Sequence, residues 1–191
     1  MAVSSASIDE PLINYNQSTV LQKHVGFFDR NKDGLIYPWE TFQGCRAIGL
    51  GIGMSAALAV VLNVGLSGKT RPGKCPNLLF PIEVKNIIGA KRKEDTGVYD
   101  AEGNFDAAKF EEIFLKHSKS GNALTEDELL GLMKPNKALK DYPEWYGGLL
   151  GWKNLYLISK DKDGLVQKET LRLFYVGGLL EQIEKDVAAR K

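Results

Sequence analysis

Oxygen-bearing side chains between residues 29 and 40 have the spacing of a twelve-residue calcium-binding loop. The predicted ligands are Asp29, Asn31, Asp33, the backbone carbonyl of Leu35, Tyr37 through a water molecule, and Glu40 as a bidentate carboxylate. Gly34 occupies the sixth position, where such a loop turns sharply. Calcium takes about six to eight oxygen ligands, and this spacing wraps the chain around one ion. The alternative is a solvated turn that binds no metal.

The flanking residues predict two helices that would hold this loop. Leu21, His24, Val25 and Phe28 follow the i, i+3, i+4, i+7 spacing of one helical face. Thr41, Phe42 and Cys45 begin the second helix. A helix, a calcium loop and a helix in this order predict an EF-hand unit.

Three later segments repeat parts of the loop pattern in degraded form. In residues 159–170, Ser159 and Thr170 replace the first and last carboxylates, so tight calcium binding is not expected there. Residues 117–128 lack the early ligands, and Thr125 with Glu128 predicts a capping box for a helix over 126–133. Residues 100–105 are a third partial copy. The fold class predicted is mainly α, with one intact and several degenerate EF-hand-like units.

Units of this kind pair through a short strand at the eighth loop position, because an isolated strand leaves its edge unpaired. The candidate partners for Ile36 are Phe105, Leu124 and Val166. We predict that Ile36 pairs with Phe105 and that Leu124 pairs with Val166.

An apolar helix is predicted to be inserted between these units. Residues 47–66 form a run of twenty residues without a charge, in which Ser55 and Asn63 are the polar side chains. A helix of about 20 apolar residues matches a hydrocarbon core of about 30 Å, so membrane or lipid contact is expected. The alternative is a soluble EF-hand calcium sensor in which the run is buried. If the units before and after the run pair, both its ends lie on one side, which favours shallow insertion into one leaflet.

A proline-rich segment follows the run. Pro72, Pro76 and Pro81 exclude a helix there and predict a sharply turned knot. Basic residues surround the knot and suit phospholipid headgroups; they are Lys69, Arg71, Lys74, Lys85, Lys91, Arg92 and Lys93.

Composition limits the function classes. A net charge of +1 argues against nucleic-acid binding, and two cysteines in 191 residues indicate a reducing compartment. Early charges and a proline are not typical of a signal peptide. The predicted organisation is a disordered N-terminus (1–17), an EF-hand unit (18–45), a lipid-associating helix and proline knot (46–82), and a C-terminal region with degenerate units (83–191).

The order of calcium loop, uncharged run and proline knot resembles the caleosin family. The resemblance covers residues 21–44, the run, the knot, 80–87, 98–114 and 161–172. It implies a calcium-binding protein on the cytosolic face of lipid droplets or the endoplasmic reticulum. It also implies haem-dependent peroxygenase activity, in which a hydroperoxide drives oxygenation of unsaturated fatty acids. Fatty acids or their hydroperoxides are then the expected partners, and homo-oligomers are left open.

The resemblance assigns His24 as the axial ligand of haem b, a role that a neutral imidazole can fill. On the residues alone, a core histidine satisfied by a hydrogen bond is the alternative. The family's second histidine is absent here, because Ile88 and Arg92 occupy the corresponding positions. Arg92 stays protonated and cannot act as a base, although it can support a bound peroxide or carboxylate. The sequence therefore leaves open whether the peroxygenase activity is retained, weak or lost.

Overall fold

The protein is mainly helical, as the sequence predicts. A computed structural model describes residues 14–75, 77–91, 96–132 and 142–190, with the backbone alone for 142–149. Residues 1–13, most of the predicted disordered N-terminus, lie outside the described residues. Tyr15–Gln17, which the same prediction covers, forms a short 3-10 helix that begins after Asn14.

The predicted calcium loop lies between two helices. Helix α1 (Val20–Gly26) begins at a capping box of Thr19 and Gln22, strand β1 is Leu35–Ile36, and helix α2 is Pro38–Ala47. Helix α2 begins three residues before the predicted Thr41, because Pro38 suits the first helical position.

The apolar run divides into two elements. Helix α2 ends at Ala47, and helix α3 (Ile52–Thr70) begins after a turn in which Gly49 has a φ of +89°. A left-handed residue of this kind favours glycine, which explains why the helix breaks here. Helix α3 continues past the predicted end at Leu66 to Thr70.

The strand pairing predicted for Ile36 is wrong. Strand β2 (Ile82–Glu83) follows the proline knot and pairs antiparallel with β1, which places Ile36 opposite Ile82. Phe105 instead forms an isolated bridge with Tyr99. Because the knot returns the chain beside the loop, residues 82–83 occupy the edge of β1 that the prediction assigned to Phe105. Both flanks of the apolar run therefore meet directly.

After a 3-10 helix at Val84–Ala90, the C-terminal region contains the second strand pair. Strand β3 (Ala123–Leu124) pairs antiparallel with β4 (Val166–Gln167), and Leu124 lies opposite Val166, which confirms that prediction. Its helices are α4 (Ala107–His117), α5 (Glu126–Gly131), α6 (Tyr142–Ser159), α7 (Lys168–Tyr175) and α8 (Leu179–Ala189). The predicted capping box of Thr125 and Glu128 is confirmed.

Buried side chains form three clusters that position the functional region. The largest surrounds Phe114, Leu124 and Val166 in the C-terminal region. A second packs α2 and α3 against α8 through Cys45, Leu58 and Leu180, while the third lies around Ile36, Ile82, Val84 and Ile87. Helix α1 additionally contacts α7, which joins the N-terminal and C-terminal regions.

Candidate functional site

Asp29 anchors the loop through one carboxylate oxygen and leaves the other unpaired. Its Oδ2 accepts hydrogen bonds from the Gly34 N–H at 2.8 Å and from the Tyr15 hydroxyl at 2.5 Å. Its Oδ1 is buried without a hydrogen-bond partner. A buried charged oxygen without a partner is costly, so this atom suits a bound cation. Burial and the neighbouring Asp29 raise the pKa of the Tyr15 hydroxyl, which keeps it a donor.

The other oxygen ligands in the first half of the loop are linked to one another. The Asn31 amide donates to Asp33 Oδ2 at 2.8 Å, and Asn31 Oδ1 accepts from the Asp33 N–H at 3.0 Å. Asp33 Oδ1 accepts from the Leu35 N–H at 2.7 Å. Gly34 has a φ of +87°, a backbone conformation that explains the glycine at the turn. The loop thus holds its oxygen-bearing side chains in a compact arrangement.

Glu40 closes the loop onto its beginning. Its Oε1 accepts from the Arg30 and Asn31 N–H groups at 3.1 and 3.4 Å, and its Oε2 accepts from the Tyr37 N–H at 2.9 Å. Burial raises the pKa of the Glu40 carboxyl and the Asp29 charge raises it further, against these three donors, which lower it. A cation beside Asp29 would favour the ionised form of Glu40.

The structure brings Asp29, Asn31, Asp33 and Glu40 into one hydrogen-bonded loop, with Leu35 and Tyr37 contributing backbone donors. The Tyr37 ring stacks on exposed Trp39 at 4.4 Å. Among the described residues, no group of three or more His, Cys, Asp or Glu side chains converges as a metal cluster. The predicted ligand set contains three carboxylates, Asp29, Asp33 and Glu40, so their convergence on one point stays a prediction.

In the degenerate loop at residues 159–170, both carboxylate oxygens of Asp161 accept hydrogen bonds within the loop. Asp161 Oδ1 accepts from the Asp163 and Leu165 N–H groups, and its Oδ2 accepts from the Gln167 amide at 2.6 Å. The Ser159 hydroxyl donates back to the Leu155 carbonyl inside α6. Hence Gln167 occupies the carboxylate oxygen that a cation would need in the 159–170 loop.

A large apolar cavity lies between the N-terminal and C-terminal regions. Its volume is about 730 Å³, which is within the range of small-molecule and cofactor sites. It is lined by α1, α2, α3, α6 and α7, with mostly aliphatic and aromatic side chains. The side chains on its lining that carry a polar atom are His24, Cys45, Lys69, Tyr99, Trp152, Asn154 and Tyr175.

His24 lines this cavity and is held by the other half of the chain. Its Nδ1 lies 2.9 Å from the Phe174 carbonyl oxygen, which can only accept, so Nδ1 carries the proton. The lone pair is therefore on Nε2, the arrangement found in histidines that ligate metals. Burial lowers the pKa of His24 despite the opposing effect of the Phe174 carbonyl, which favours the neutral imidazole.

The structure does not test the second position of the predicted haem site. Ile88 is half-buried in the 3-10 helix, and Arg92 lies outside the described residues. His24 is the one imidazole among the described residues that line the cavity. No sequence pattern indicates the Phe174 carbonyl as a partner of His24, because 150 residues separate the two.

Helix α3 has an inverted arrangement of polar and apolar side chains. Its buried positions include Ser55, Asn63, Ser67 and Thr70, which face the protein. Ile52 and Val60 on α3 are 69% and 60% exposed, and Leu78 in the knot is 88% exposed. Within the described part of the chain, α3 is the helix long and apolar enough to cross a membrane by length and composition.

The comparisons with known proteins agree with these features. A family model described as caleosin related protein matches residues 16–184. The chain is 53% identical over 175 residues to a "Probable peroxygenase 4" of Arabidopsis thaliana, an alignment that covers 91% of this chain and 90% of that protein. It is 42% identical over 177 residues to a "Peroxygenase" of Lilium longiflorum, covering 92% and 74% of the two chains.

A third relative, a "Probable inactive peroxygenase-like protein" of Arabidopsis thaliana, is 38% identical over 144 residues, covering 75% of this chain and 69% of that one. No solved structure matches the chain with significance. Both the family model and the two longer alignments span the calcium-loop sequence, the apolar helix and the C-terminal helices together. The chain therefore belongs to the caleosin family.

Proposed function

We propose that this caleosin is a calcium-binding protein of lipid surfaces that holds haem through His24 and oxygenates unsaturated fatty acids with a hydroperoxide. The observation that carries the proposal is His24 itself, an imidazole with its proton fixed on Nδ1 that lines an apolar cavity of about 730 Å³. The names of two relatives, both peroxygenases, support the same activity.

Calcium binding is supported by the first loop, which we interpret as the intact EF-hand unit. The Oδ1 atom of Asp29 is buried, and no protein donor forms a hydrogen bond with it. A calcium ion would supply the missing partner. Asn31, Asp33, the Leu35 carbonyl, Tyr37 through water, and Glu40 complete the proposed ligand set. Glu40 must exchange part of its backbone N–H contacts for the cation, since both of its oxygens accept hydrogen bonds.

Haem fits the donor chemistry and the dimensions of the cavity. Bound haem supplies the redox chemistry that transfers an oxygen atom from a hydroperoxide. His24 orients its ring through the Phe174 carbonyl and presents a neutral nitrogen, while Leu58 and Leu155 help exclude water from the cavity. Lys69 contributes a charged side chain to the mostly apolar lining, and an ammonium group can bind the carboxylate of a fatty acid.

A second candidate is a caleosin with little peroxygenase activity. The observation in its favour is that no second imidazole lines the described part of the cavity to transfer a proton beside His24. Burial raises the pKa of the Cys45 thiol to about 11, so this cavity-lining thiol does not replace the base at neutral pH. One relative is named as probably inactive, which keeps this candidate open.

Association with a lipid-droplet or endoplasmic-reticulum surface is supported by the outward face of α3 and the knot. Ile52, Leu78 and Leu79 are 69%, 88% and 53% exposed, and burying them in lipid would remove this apolar area from water. Because β1 and β2 pair, both ends of α3 stay on one side of the surface. This geometry favours insertion into one leaflet, and the exposed apolar face argues against the soluble-sensor alternative.

Haem binding and activity are tested with the two histidines of the chain. Haem added to the purified protein is expected to give a Soret band that His24→Ala abolishes and His117→Ala, which changes an α4 residue away from the cavity, retains. Hydroperoxide-dependent oxygenation of an unsaturated fatty acid should follow the Soret band. A Soret band without turnover would support the second candidate, and a band that persists in His24→Ala would reject His24 as ligand.

Lipid association is tested by flotation with phospholipid-coated droplets. Leu78→Ser with Leu79→Ser should reduce the bound fraction several-fold, because these exposed side chains lose their apolar contact with lipid. Leu115→Ser is the control, since Leu115 is 62% exposed but lies on α4. Equal losses in both variants would show that the knot is not a specific docking element.

A further inference from the structure

Asn63 lies in the middle of α3 and is fully buried. Its side-chain amide forms three hydrogen bonds, and none of them is within its own helix. Oδ1 accepts from the Thr41 hydroxyl at 2.7 Å, and Nδ2 donates to the Ile36 carbonyl at 2.8 Å and to the Phe80 carbonyl at 3.0 Å. One side chain therefore joins β1, α2 and the proline knot to the apolar helix.

Two of these partners are adjacent to predicted calcium ligands. Ile36 follows Leu35, whose carbonyl is a predicted ligand, and Thr41 follows Glu40. A cation that fixes the Leu35 carbonyl and the Glu40 carboxylate also fixes the backbone from which Ile36 and Thr41 reach Asn63. The third partner, Phe80, has a φ of +45° and precedes β2, which pairs with β1. The loop and the knot are thus held to the same amide.

The residues on either side of Asn63 form part of the cavity wall. Leu62 and Val64 line the same cavity as His24, so a shift of α3 at Asn63 changes the shape of that cavity. Ser55, the other polar residue of the apolar run, is different, because its hydroxyl donates to the Leu50 and Gly51 carbonyls just before α3. Ser55 satisfies itself locally, whereas Asn63 connects separate elements.

We infer that Asn63 is a positioning residue that couples the calcium loop to the cavity wall on α3. The inference rests on the proposed calcium binding and adds its consequence: calcium at the loop restricts α3 and alters the affinity of the cavity for an apolar ligand. By thermodynamic linkage, a ligand in the cavity changes calcium affinity by the same factor. A buried amide with three partners suits this role, since losing any one leaves a buried polar group unsatisfied.

The test is hydrogen–deuterium exchange of the full chain in one mild detergent, with and without calcium. In the wild type, calcium is expected to slow exchange in residues 29–40 and, on the order of tenfold, in residues 55–66. Asn63→Leu should confine the slowing to the loop, while Ser55→Ala should retain both effects. The readout is the calcium-dependent difference, which a purely structural contribution to stability would leave unchanged.

Thr41→Val, which removes only the hydroxyl donor, covers the case in which Asn63→Leu fails to fold. It should weaken the calcium effect on α3 and leave the effect on the loop.

A fluorescent polyunsaturated fatty acid should bind with a calcium-dependent affinity in the wild type and with a calcium-independent one in Asn63→Leu. Unchanged slowing of α3 in both Asn63→Leu and Thr41→Val, or its loss in Ser55→Ala, would overturn the coupling. Calorimetry separates the two levels: absence of calcium binding rejects the proposed function, while binding without a response in α3 rejects the coupling alone.

Discussion

The loop at residues 29–40 and the C-terminal loops resemble one another in the hydrogen bonds of a glutamate but differ in those of an aspartate. Glu40 and Glu128 each accept N–H donors from the start of a loop and from the residue that caps the next helix. Asp29, however, leaves Oδ1 buried and unpartnered, whereas exposed Asp161 has both oxygens satisfied. The buried, unpartnered carboxylate oxygen of Asp29 therefore distinguishes the candidate binding loop from the loop that contains Asp161.

The largest effects are expected from removing the strand side chains of each pair. Ile36→Ala and Leu124→Ala should each destabilise the protein by about 2–5 kcal/mol, because both side chains are almost completely buried. Calcium at about 100 times its Kd should restore about 2.7 kcal/mol to Ile36→Ala if the loop still binds the ion. Chemical denaturation with and without calcium measures both effects.

Calcium raises the free energy of unfolding of any variant whose folded state still binds the ion, whether or not the substituted residue contacts the ion. Leu124→Ala is therefore the matched control, and it should gain about as much from calcium as the wild type does. If Ile36→Ala gains clearly less, Ile36 supports the geometry of the loop. A gain in neither variant would contradict calcium binding by the folded protein.

Removing the closing carboxylate should separate the two kinds of loop most clearly. Glu40→Gln is expected to weaken calcium binding by about 100-fold, or about 2.7 kcal/mol, because a bidentate charged ligand is lost. Glu128→Gln, the matched change in the second unit, should leave calcium affinity unchanged, as should Thr170→Ala. Isothermal calorimetry provides the measurement, and equal losses in Glu40→Gln and Glu128→Gln would show that both units bind.

A smaller effect is expected from His24, which should make the free energy of unfolding depend on pH. Burial lowers the pKa of His24 in the fold, so the unfolded chain binds more protons as the pH falls below the usual histidine value of about 6.5. Stability should therefore decrease from pH 7.5 to 5.5, with a limiting slope of about 1.4 kcal/mol per pH unit for one proton. His24→Gln should flatten this slope in thermal unfolding.

His117 also contributes to that pH range, because burial and Lys116 lower its pKa. Thermal unfolding of His117→Gln over the same pH range therefore measures the part of the pH dependence of stability that comes from His117. A slope that His24→Gln leaves intact would contradict the lowered pKa of His24.

The smallest effect is expected from removing the hydrogen bond between the Gln167 amide and Asp161 in the loop at residues 159–170. Gln167→Ala removes the amide that donates to Asp161 and should cost about 0.5–1 kcal/mol, because the pair is exposed. It should create no tight calcium site, since Ser159 and Thr170 still lack carboxylates. Calorimetric titration of Glu40→Gln combined with Gln167→Ala isolates this loop, and tight binding there would contradict the comparison.

Local patterns predicted much of the fold. The helices around residues 29–40, the Thr125 capping box and the pairing of Leu124 with Val166 each depend on short-range spacing or on equivalent positions in repeated units. The pairing of Ile36 was predicted wrongly because the repeat suggested Phe105, while the return of the chain at the knot determines which edge is available. Sequence periodicity contains no information about that return.

The candidate site likewise has features that local spacing predicts and features that only the structure provides. The spacing of Asp29, Asn31, Asp33 and Glu40 predicts an oxygen-rich loop, and the structure adds the unpaired Oδ1 of Asp29. For His24, the family resemblance supplied the proposed role, and the Phe174 carbonyl supplied the tautomer. Arg92 stays a prediction outside the described residues.

The sequence by itself determined the mainly helical fold class, the family and the loop chemistry, because these depend on residue type and local spacing. Only the tertiary structure decided that β1 pairs with β2, that α3 turns its hydroxyls and Asn63 inward, and that His24 lines a cavity built from both halves of the chain. These outcomes depend on which distant groups satisfy a buried donor or acceptor. That choice is made when the chain packs, and no local pattern specifies it.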